Sequence, residues 1–284
     1  VKDYKPNYSR PTTAKPQPGK PAPQKPLPKS GRSASKTGVD GGERIQKLLA
    51  RAGLGSRREI ERWIKEGRLT VNGNQVELGY HLKPGDYLQI NGRVVKWDKY
   101  AEQPTRVLVY HKPAGEVVTR RDPEGRPVIF TQLPRLQVGR WISIGRLDIN
   151  TSGLILVTNN GELANRLMHP AREIEREYAV RILGEVDAAM QERLRNGVEL
   201  DDGPAHFDDI RFYAGEGANK WFYVTVKQGR NRLVRRLWES QGVKVSRLMR
   251  VRYGNIVLPE RVRAHSFFEL DAKELQGLMA DVEL

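Results

Sequence analysis

The chain has 284 residues, enough for two compact domains and a tail, and it contains no cysteine, which excludes disulfides, thiolate catalysis and cysteine-ligated metal sites. No stretch approaches the ~20 consecutive apolar residues that span a bilayer, and the N-terminal region lacks the apolar block of a secretory signal, so the expected setting is the cytoplasm. The formal net charge of +15 favours a polyanionic partner, and nucleic acid suits it better than membrane because no long basic amphipathic helix is present.

Residues 1–42 hold nine Lys or Arg against two Asp and are rich in Pro, Ser and Gly. Too little apolar surface is available there to offset ordering entropy, so a disordered basic tail is expected. Without that tail the remaining residues still carry +8.

From Glu43 the pattern changes. Ile45, Leu48, Leu49 and Ala52 recur on one helical face, and Gly53 or Gly55 can end that helix. Ser56 followed by Glu59 is a capping box that opens a second helix, whose inner face carries Ile60, Trp63 and Ile64. Its other side presents Arg57, Arg58, Arg62 and Lys65 as a basic ridge. Asn72-Gly73 predicts a tight hairpin turn, and "LKPGDYLQI" follows. Residues 91–105 read as a linker.

Beyond residue 105, apolar runs of strand type occur at "RVLVYHK", "WISI", "GLILVT", "REYAVRIL" and "WFYVTVK". Helical segments are "GELANRLM", "VDAAMQERLRNG" and "NRLVRRLWESQG". Strands outnumber crossover helices, which predicts an α+β domain with a mixed, largely antiparallel sheet.

The usual site signatures are absent: no GxGxxG opening a helix, GxxxxGK[ST], HExxH or GxSxG. Five histidines show no ligand spacing. Asp148, Asn150, Ser152 and Gly153 imitate the start of a calcium loop, but Asn159 stands where the chelating glutamate belongs and the intervening run reads as strand. Locally, Asp148 is either a turn residue or a nucleophile; a carboxylate is ionised at neutral pH and needs no partnering base. Arg146 can hold it charged or engage a phosphate. Tyr178 shares a strand face with Val180 and Ile182, either as a core residue or as the floor of a base pocket. In the last helix Val234, Leu237 and Trp238 form the buried face, with Arg232, Arg235, Arg236 and Glu239 turned away from it. Arg230 lies just ahead of that helix, and the cluster suits an anion site.

Residues 43–90 resemble the S4 RNA-binding module, which implies phosphate contacts by Arg57, Arg58, Arg62 and Lys65. "GRLDINTSGLILVTNNGELANRLMHP", "EREYAV" and "GRNRLVRRLWE" resemble the motifs of bacterial RNA pseudouridine synthases, in the branch that joins an S4 module to the catalytic domain. "YHKPAGEVVTRRDPEGRPVIFTQLP" resembles the segment that precedes the catalytic motif in that branch. "DPEGRP" and "EGANKWFYVTVKQGRNR" are most similar to members that act on the large ribosomal subunit. The resemblance implies a catalytic domain over residues 106–284 and isomerisation of a specific uridine in 23S ribosomal RNA, without cofactor or metal. The implied partner is that RNA or a large-subunit assembly intermediate, met by a monomer.

By the same resemblance Asp148 is the catalytic aspartate. Tyr178 stacks on the uracil and takes part in removing its C5 proton, and Arg235 pairs with the aspartate. Arg146 assists base flipping, and Arg230, Asn231 and Arg232 contact RNA. Leu233 stands where relatives usually carry Glu or Gln, and Asn160 where many carry Asp. Two other readings use the same residues: a noncatalytic RNA-binding or ribosome-assembly protein, and a nucleoside glycosidase, against which the lack of a second positioned acid counts.

Overall fold

The computed structural model describes residues 42–97, 103–217 and 219–284. The basic tail expected over residues 1–42 lies outside the described residues up to residue 41.

The N-terminal module opens with β1 (Glu43–Arg44), which runs directly into α1 (Ile45–Arg51) and then α2 (Arg57–Lys65). Ser56 caps α2: its hydroxyl accepts from the Glu59 amide at 3.1 Å, and the Glu59 carboxylate accepts from the Ser56 amide at 3.3 Å. The strands that follow are β2 (Leu69–Val71), β3 (Asn74–Gln75), β4 (His81–Leu82), β5 (Leu88–Ile90) and β6 (Arg93–Val95). β4 pairs with β1, and the others form an antiparallel sheet in the order β3-β2-β5-β6. Asn72 (φ 53°) and Gly73 (φ 84°) take the two left-handed positions of the β2–β3 turn. Ile45, Leu48, Leu49, Ile60, Leu69 and Leu88 close a core between the helices and this sheet.

The expected linker over residues 91–105 needs correction at its start. Arg93–Val95 pairs with Leu88–Ile90, and the buried Trp97 donates its indole N–H to the Asp86 carbonyl at 2.8 Å. A hairpin that buries a tryptophan belongs to the module it packs on, so the module reaches Trp97. Residues 98–102 of that segment lie outside the described residues.

The larger part begins with β7 (Val107–Lys112), β8 (Ile142–Ile144) and β9 (Ser152–Thr158), followed by α3 (Gly161–Met168) and β10 (Arg176–Leu183). Next come α4 (Ala188–Asn196) and the hairpin β11 (Val198–Leu200) and β12 (Gly203–Ala205). β13 (Asp209–Glu216), β14 (Asn219–Val226) and α5 (Leu233–Glu239) lead to the long strand β15 (Lys244–Tyr253). β16 (Ile256–Val257), β17 (Phe267–Glu269) and α6 (Ala272–Ala280) complete it. One sheet has the path β13-β14-β10-β15-β9-β7-β17, with β8 added on β9 and β16 on β15.

Among the described residues the only parallel pairing in that sheet joins β15 to β9, with Met249 opposite Ser152 and Arg250 opposite Gly153. Here two antiparallel half-sheets meet. On one half, α4 and α5 cover Val180, Ile182, Phe222 and Val224 around Trp238. On the other half, one face packs with α3 and α6 through Leu156, Leu163, Leu167 and Leu278. Its opposite face packs Leu108, Tyr110, Ile155 and Val157 under Trp141.

The seam requires a glycine. Gly153 sits at φ +103°, and a Cβ there would lie 2.2 Å from the Arg250 carbonyl oxygen and 2.6 Å from its nitrogen. The S4-like module meets the larger domain through a second close approach. A Cβ on Gly53 would lie 2.9 Å from the Gly139 oxygen, and one on Gly139 would lie 2.8 Å from the Arg51 oxygen. The Lys47 ammonium, 3.1 Å from the Glu162 carboxylate, adds an ion pair across this contact.

Both departures from the family pattern have local explanations. Leu233 is buried in the core beside Trp238, where an acid or amide would need partners. Asn160 accepts from the amides of Glu162 and Leu163 and caps α3, a role that asparagine fills as well as aspartate.

Gly153→Ala is expected to destabilise the protein by ~3–5 kcal/mol, the combined cost of a strained backbone position and a steric clash against main chain. Urea denaturation followed by tryptophan fluorescence checks this, and Gly73→Ala, whose Cβ meets nothing within 4 Å, supplies the comparison for backbone strain alone.

Candidate active site

Asp148 lies in the turn between β8 and β9, with Leu147 buried beneath it. The Thr151 amide donates to the Asp148 carbonyl at 3.0 Å and closes the turn, while the Gly115 amide donates to the Ile149 carbonyl at 2.7 Å. Two buried cations then grip the same turn.

The first is Lys112, the last residue of β7, with no exposed surface. Its ammonium donates to the carbonyls of Pro113 (2.9 Å), Asp148 (3.1 Å) and Thr151 (2.8 Å), with that of Ile149 at 3.4 Å. Burial pushes its pKa down to about 8, against the opposing pull of Glu116 and Asp148. Glu116 is itself buried and accepts the Tyr110 hydroxyl at 2.7 Å.

The second cation is Arg235 of α5. It donates to the Asn150 carbonyl at 2.9 Å and to the Val245 carbonyl at 3.0 Å. Burial and the charge of Arg232 lower its pKa, while Asp148 and Glu239 raise it; an arginine stays protonated under such shifts. Two expectations are corrected here. Arg235 is buried with Val234 and Leu237 rather than turned away from them. It also forms no ion pair with the Asp148 carboxylate within 4 Å: it donates to the backbone of the turn at Asn150 and to that of β15 at Val245. A guanidinium whose N–H groups meet carbonyls can occupy a core that helical periodicity assigns to apolar residues.

With its backbone held, the half-buried Asp148 side chain borders a pocket of about 410 Å³ that also takes Arg146, Tyr178, Asn231 and Arg232. Tyr178 reaches it from β10, cross-strand from Arg250 on β15 and Val224 on β14. It packs partly on the core of Val180 and Ile182, as strand alternation predicts. Arg146, Asn231 and Arg232 stand exposed on the rim. Arg232 has φ 48° and lies just before α5, which starts at Leu233, two residues later than the expected helix.

Arg230 also borders the pocket, but its charge is already matched. Arg230 and Arg236 both engage Asp202, and Arg230 donates further to the carbonyls of Gly203 and Pro204. The two guanidinium groups hold the Asp202 carboxyl far below the usual range. This clamp ties the β11–β12 turn to the loop ahead of α5.

Sequence reasoning missed three residues of the floor. The Arg176 and Arg250 guanidinium groups lie 5.3 and 5.1 Å from the Tyr253 ring centroid, and the Tyr253 hydroxyl donates to the Leu167 carbonyl. Arg250 is buried, donates through Nε to Leu154 at 2.8 Å, and has its Nη2 without a protein partner. Lys112 was missed as well; its signal was a lysine closing an otherwise buried strand.

The S4-side cations Arg57, Arg58, Arg62 and Lys65 are exposed on α2 and do not border this pocket. Arg62 stands 3.6 Å from Glu66.

Comparison with known proteins gives the family and the fold. Residues 43–88 match the S4 domain, and residues 106–240 match the family described as RNA pseudouridylate synthase. "Ribosomal large subunit pseudouridine synthase B" from Pseudomonas aeruginosa is 55% identical over 244 residues, covering 86% of this chain and 63% of the relative. The chain thus spans less than two thirds of that relative's length. The protein of the same description from Escherichia coli strain K12 is 55% identical, with 85% of this chain and 84% of the relative covered. A crystal structure described as a pseudouridylate synthase superposes with a TM-score of 0.58 at 23% identity, covering 83% of this chain and 99% of the other, which supports the fold.

Lys112→Met should release the turn and lower turnover by ~10- to 100-fold, with RNA affinity little changed, because positioning of a reacting group is worth that much. Single-turnover rates measure it. Stability gives a second check. The Lys112 ammonium has a folded pKa of about 8, below its unfolded 10.5. The unfolded chain therefore binds more protons between those values, so stability contributed at this site rises with pH across that window. Relative to Lys112→Met, the wild type should gain urea stability from pH 8 to pH 10.

Proposed function

The chain belongs to the RNA pseudouridine synthases that carry an S4 domain, and from that membership we propose that it isomerises a specific uridine of large-subunit ribosomal RNA to pseudouridine. The observation that carries the reading is the Asp148 turn: a carboxylate without an ion-pair partner within 4 Å among the described residues, on a backbone fixed by Lys112 and Arg235, facing Tyr178 across a pocket. The printed description of the 55% identical relatives supplies the substrate class.

The reaction detaches uracil from C1′, turns it, and rejoins it through C5. It is an isomerisation, so atoms balance without a co-reactant. Asp148 acts either by taking the C2′ proton, which gives a glycal, or by attacking the sugar directly; both routes need it ionised and stationary. Tyr178 stacks on the displaced base, where an aromatic platform contributes ~1–3 kcal/mol. Arg235 is a positioning residue that acts through the turn. Arg146 on the rim assists the flipped state, whose unstacking costs a few kcal/mol that binding must offset. Asn231 and Arg232, with Arg230 behind them, line the strand's path.

Arg57, Arg58, Arg62 and Lys65 of the S4 domain contact phosphates, which position the RNA without reading it. No helix among the described residues is long and apolar enough to cross a membrane, and a ribosomal RNA substrate would be met in the cytoplasm.

Asp148→Asn should abolish pseudouridine formation in a carbodiimide primer-extension assay while leaving RNA affinity within about threefold, because a near-isosteric neutral amide replaces the carboxylate in a turn held through its backbone. Activity near that of the wild type would remove Asp148 from the chemistry, and full rescue of a deletion strain by this variant would favour a binding role.

A further inference from the structure

A second concavity, of about 660 Å³, lies between the S4 domain and the catalytic domain. Its S4 wall presents Arg57 and Arg58, and its catalytic wall presents Arg120, Arg140 and the ring of Phe130. The Arg57 guanidinium reaches across to within 4.0 Å of where a Cβ on Gly161 would stand, over the start of α3. That places a cation at the positive end of a helix.

The acids in reach are already engaged. Glu162 pairs with Lys47 at 3.1 Å and with Arg166 at 3.2 Å. Glu59 accepts from the Ser56 amide in the capping box. Arg57, Arg58, Arg120 and Arg140 have no carboxylate within 4 Å among the described residues. Arg120 lies 4.8 Å from the Phe130 ring centroid and donates to the Trp141 carbonyl. Arg140 has a buried Nε without a protein partner. Burial and then Arg140 lower the pKa of Arg120; for Arg140 burial lowers it first, Glu59 opposes that, and Arg57 adds a smaller lowering.

Cations gathered on one cleft with no carboxylate paired to them lower their energy by sharing an anion. The cleft is much larger than a single inorganic phosphate needs, which favours a polymer. Its position identifies the polymer, because Met168 borders both this cleft and the catalytic pocket.

We propose that this cleft is a second RNA site, in which Arg57, Arg120 and Arg140 share a phosphodiester of the same strand that enters the catalytic pocket past Met168. The site rests on the proposed RNA substrate and extends it by assigning Arg120 and Arg140, from the catalytic domain, to strand binding. The S4 ridge then continues into the enzyme rather than ending at the domain boundary.

The test is a salt titration of binding to fluorescein-labelled dodecauridylate, with the full chain carrying Arg120→Ala and Arg140→Ala together. Each neutralised phosphate of a single strand contributes ~0.7 to the slope of log K against log salt. The double variant should reduce that slope by about 0.7 and weaken binding roughly fivefold at 0.1 M salt, while Arg120→Lys with Arg140→Lys keeps most of both. Its thermal midpoint should not fall, since removing crowded cations relieves repulsion; a purely structural role would lower it. If the alanine pair does not fold, Arg120→Gln with Arg140→Gln preserves more of the side-chain packing and reads the same slope. An unchanged slope and affinity, or no binding of the probe by the wild type, overturns the proposal. Loss of the Asp148 assignment would leave this slope intact, so the two failures are distinguishable.

Discussion

The Asp148 turn is held by charge acting on backbone rather than on the carboxylate it presents. Lys112 and Arg235 approach the Asp148–Thr151 segment from opposite halves of the sheet, and both direct their protons at carbonyl oxygens. An ion pair to Asp148 itself would fix the side chain but also occupy the lone pairs that the proposed chemistry needs. Gripping the carbonyls separates the two tasks: the turn is held through its backbone, and the carboxylate is left without an ion-pair partner.

That arrangement depends on the parallel seam. Lys112 ends β7 in one half-sheet, and Arg235 rides on α5 packed over the other. The turn between them is therefore a joint whose geometry follows from how β9 meets β15. Gly153 permits the strands to approach where any side chain would strike the Arg250 backbone. The same crossing puts Tyr178 and Arg250 on neighbouring strands facing the pocket. A single close main-chain contact thus orients groups that lie far apart in the chain.

Elements specified by local rules were legible in the sequence. The capping box at Ser56 and Glu59, the Asn72-Gly73 turn, and the strands around Val107 and Leu154 all follow from spacing and turn chemistry. Elements specified by tertiary contact were not. β15 carries Lys244, Arg247, Arg250 and Arg252 and breaks register twice against β10, so its alternation does not read as a strand. Arg235 looked exposed because a helical wheel has no way to anticipate carbonyls from two other segments. Arg230 looked free because the acid that claims it, Asp202, stands in an earlier hairpin turn. Asp148 and Tyr178 came from the resemblance, since local chemistry alone left each with two readings.

The glycine pair at the domain boundary has a further meaning for modularity. S4 domains behave as portable parts, yet here the join is main chain against main chain, with Gly53 facing Gly139 and no side chain between them. An S4 domain transplanted from another protein would seat in this orientation only if it also offered bare backbone at that point. Where it did not, the donor would remain attached through its covalent linker alone, and the angle between its RNA-facing helix and the catalytic pocket would no longer be inherited. Compatibility between the two domains in this architecture is thus recorded in two residues that border neither the Asp148 pocket nor the basic ridge of α2.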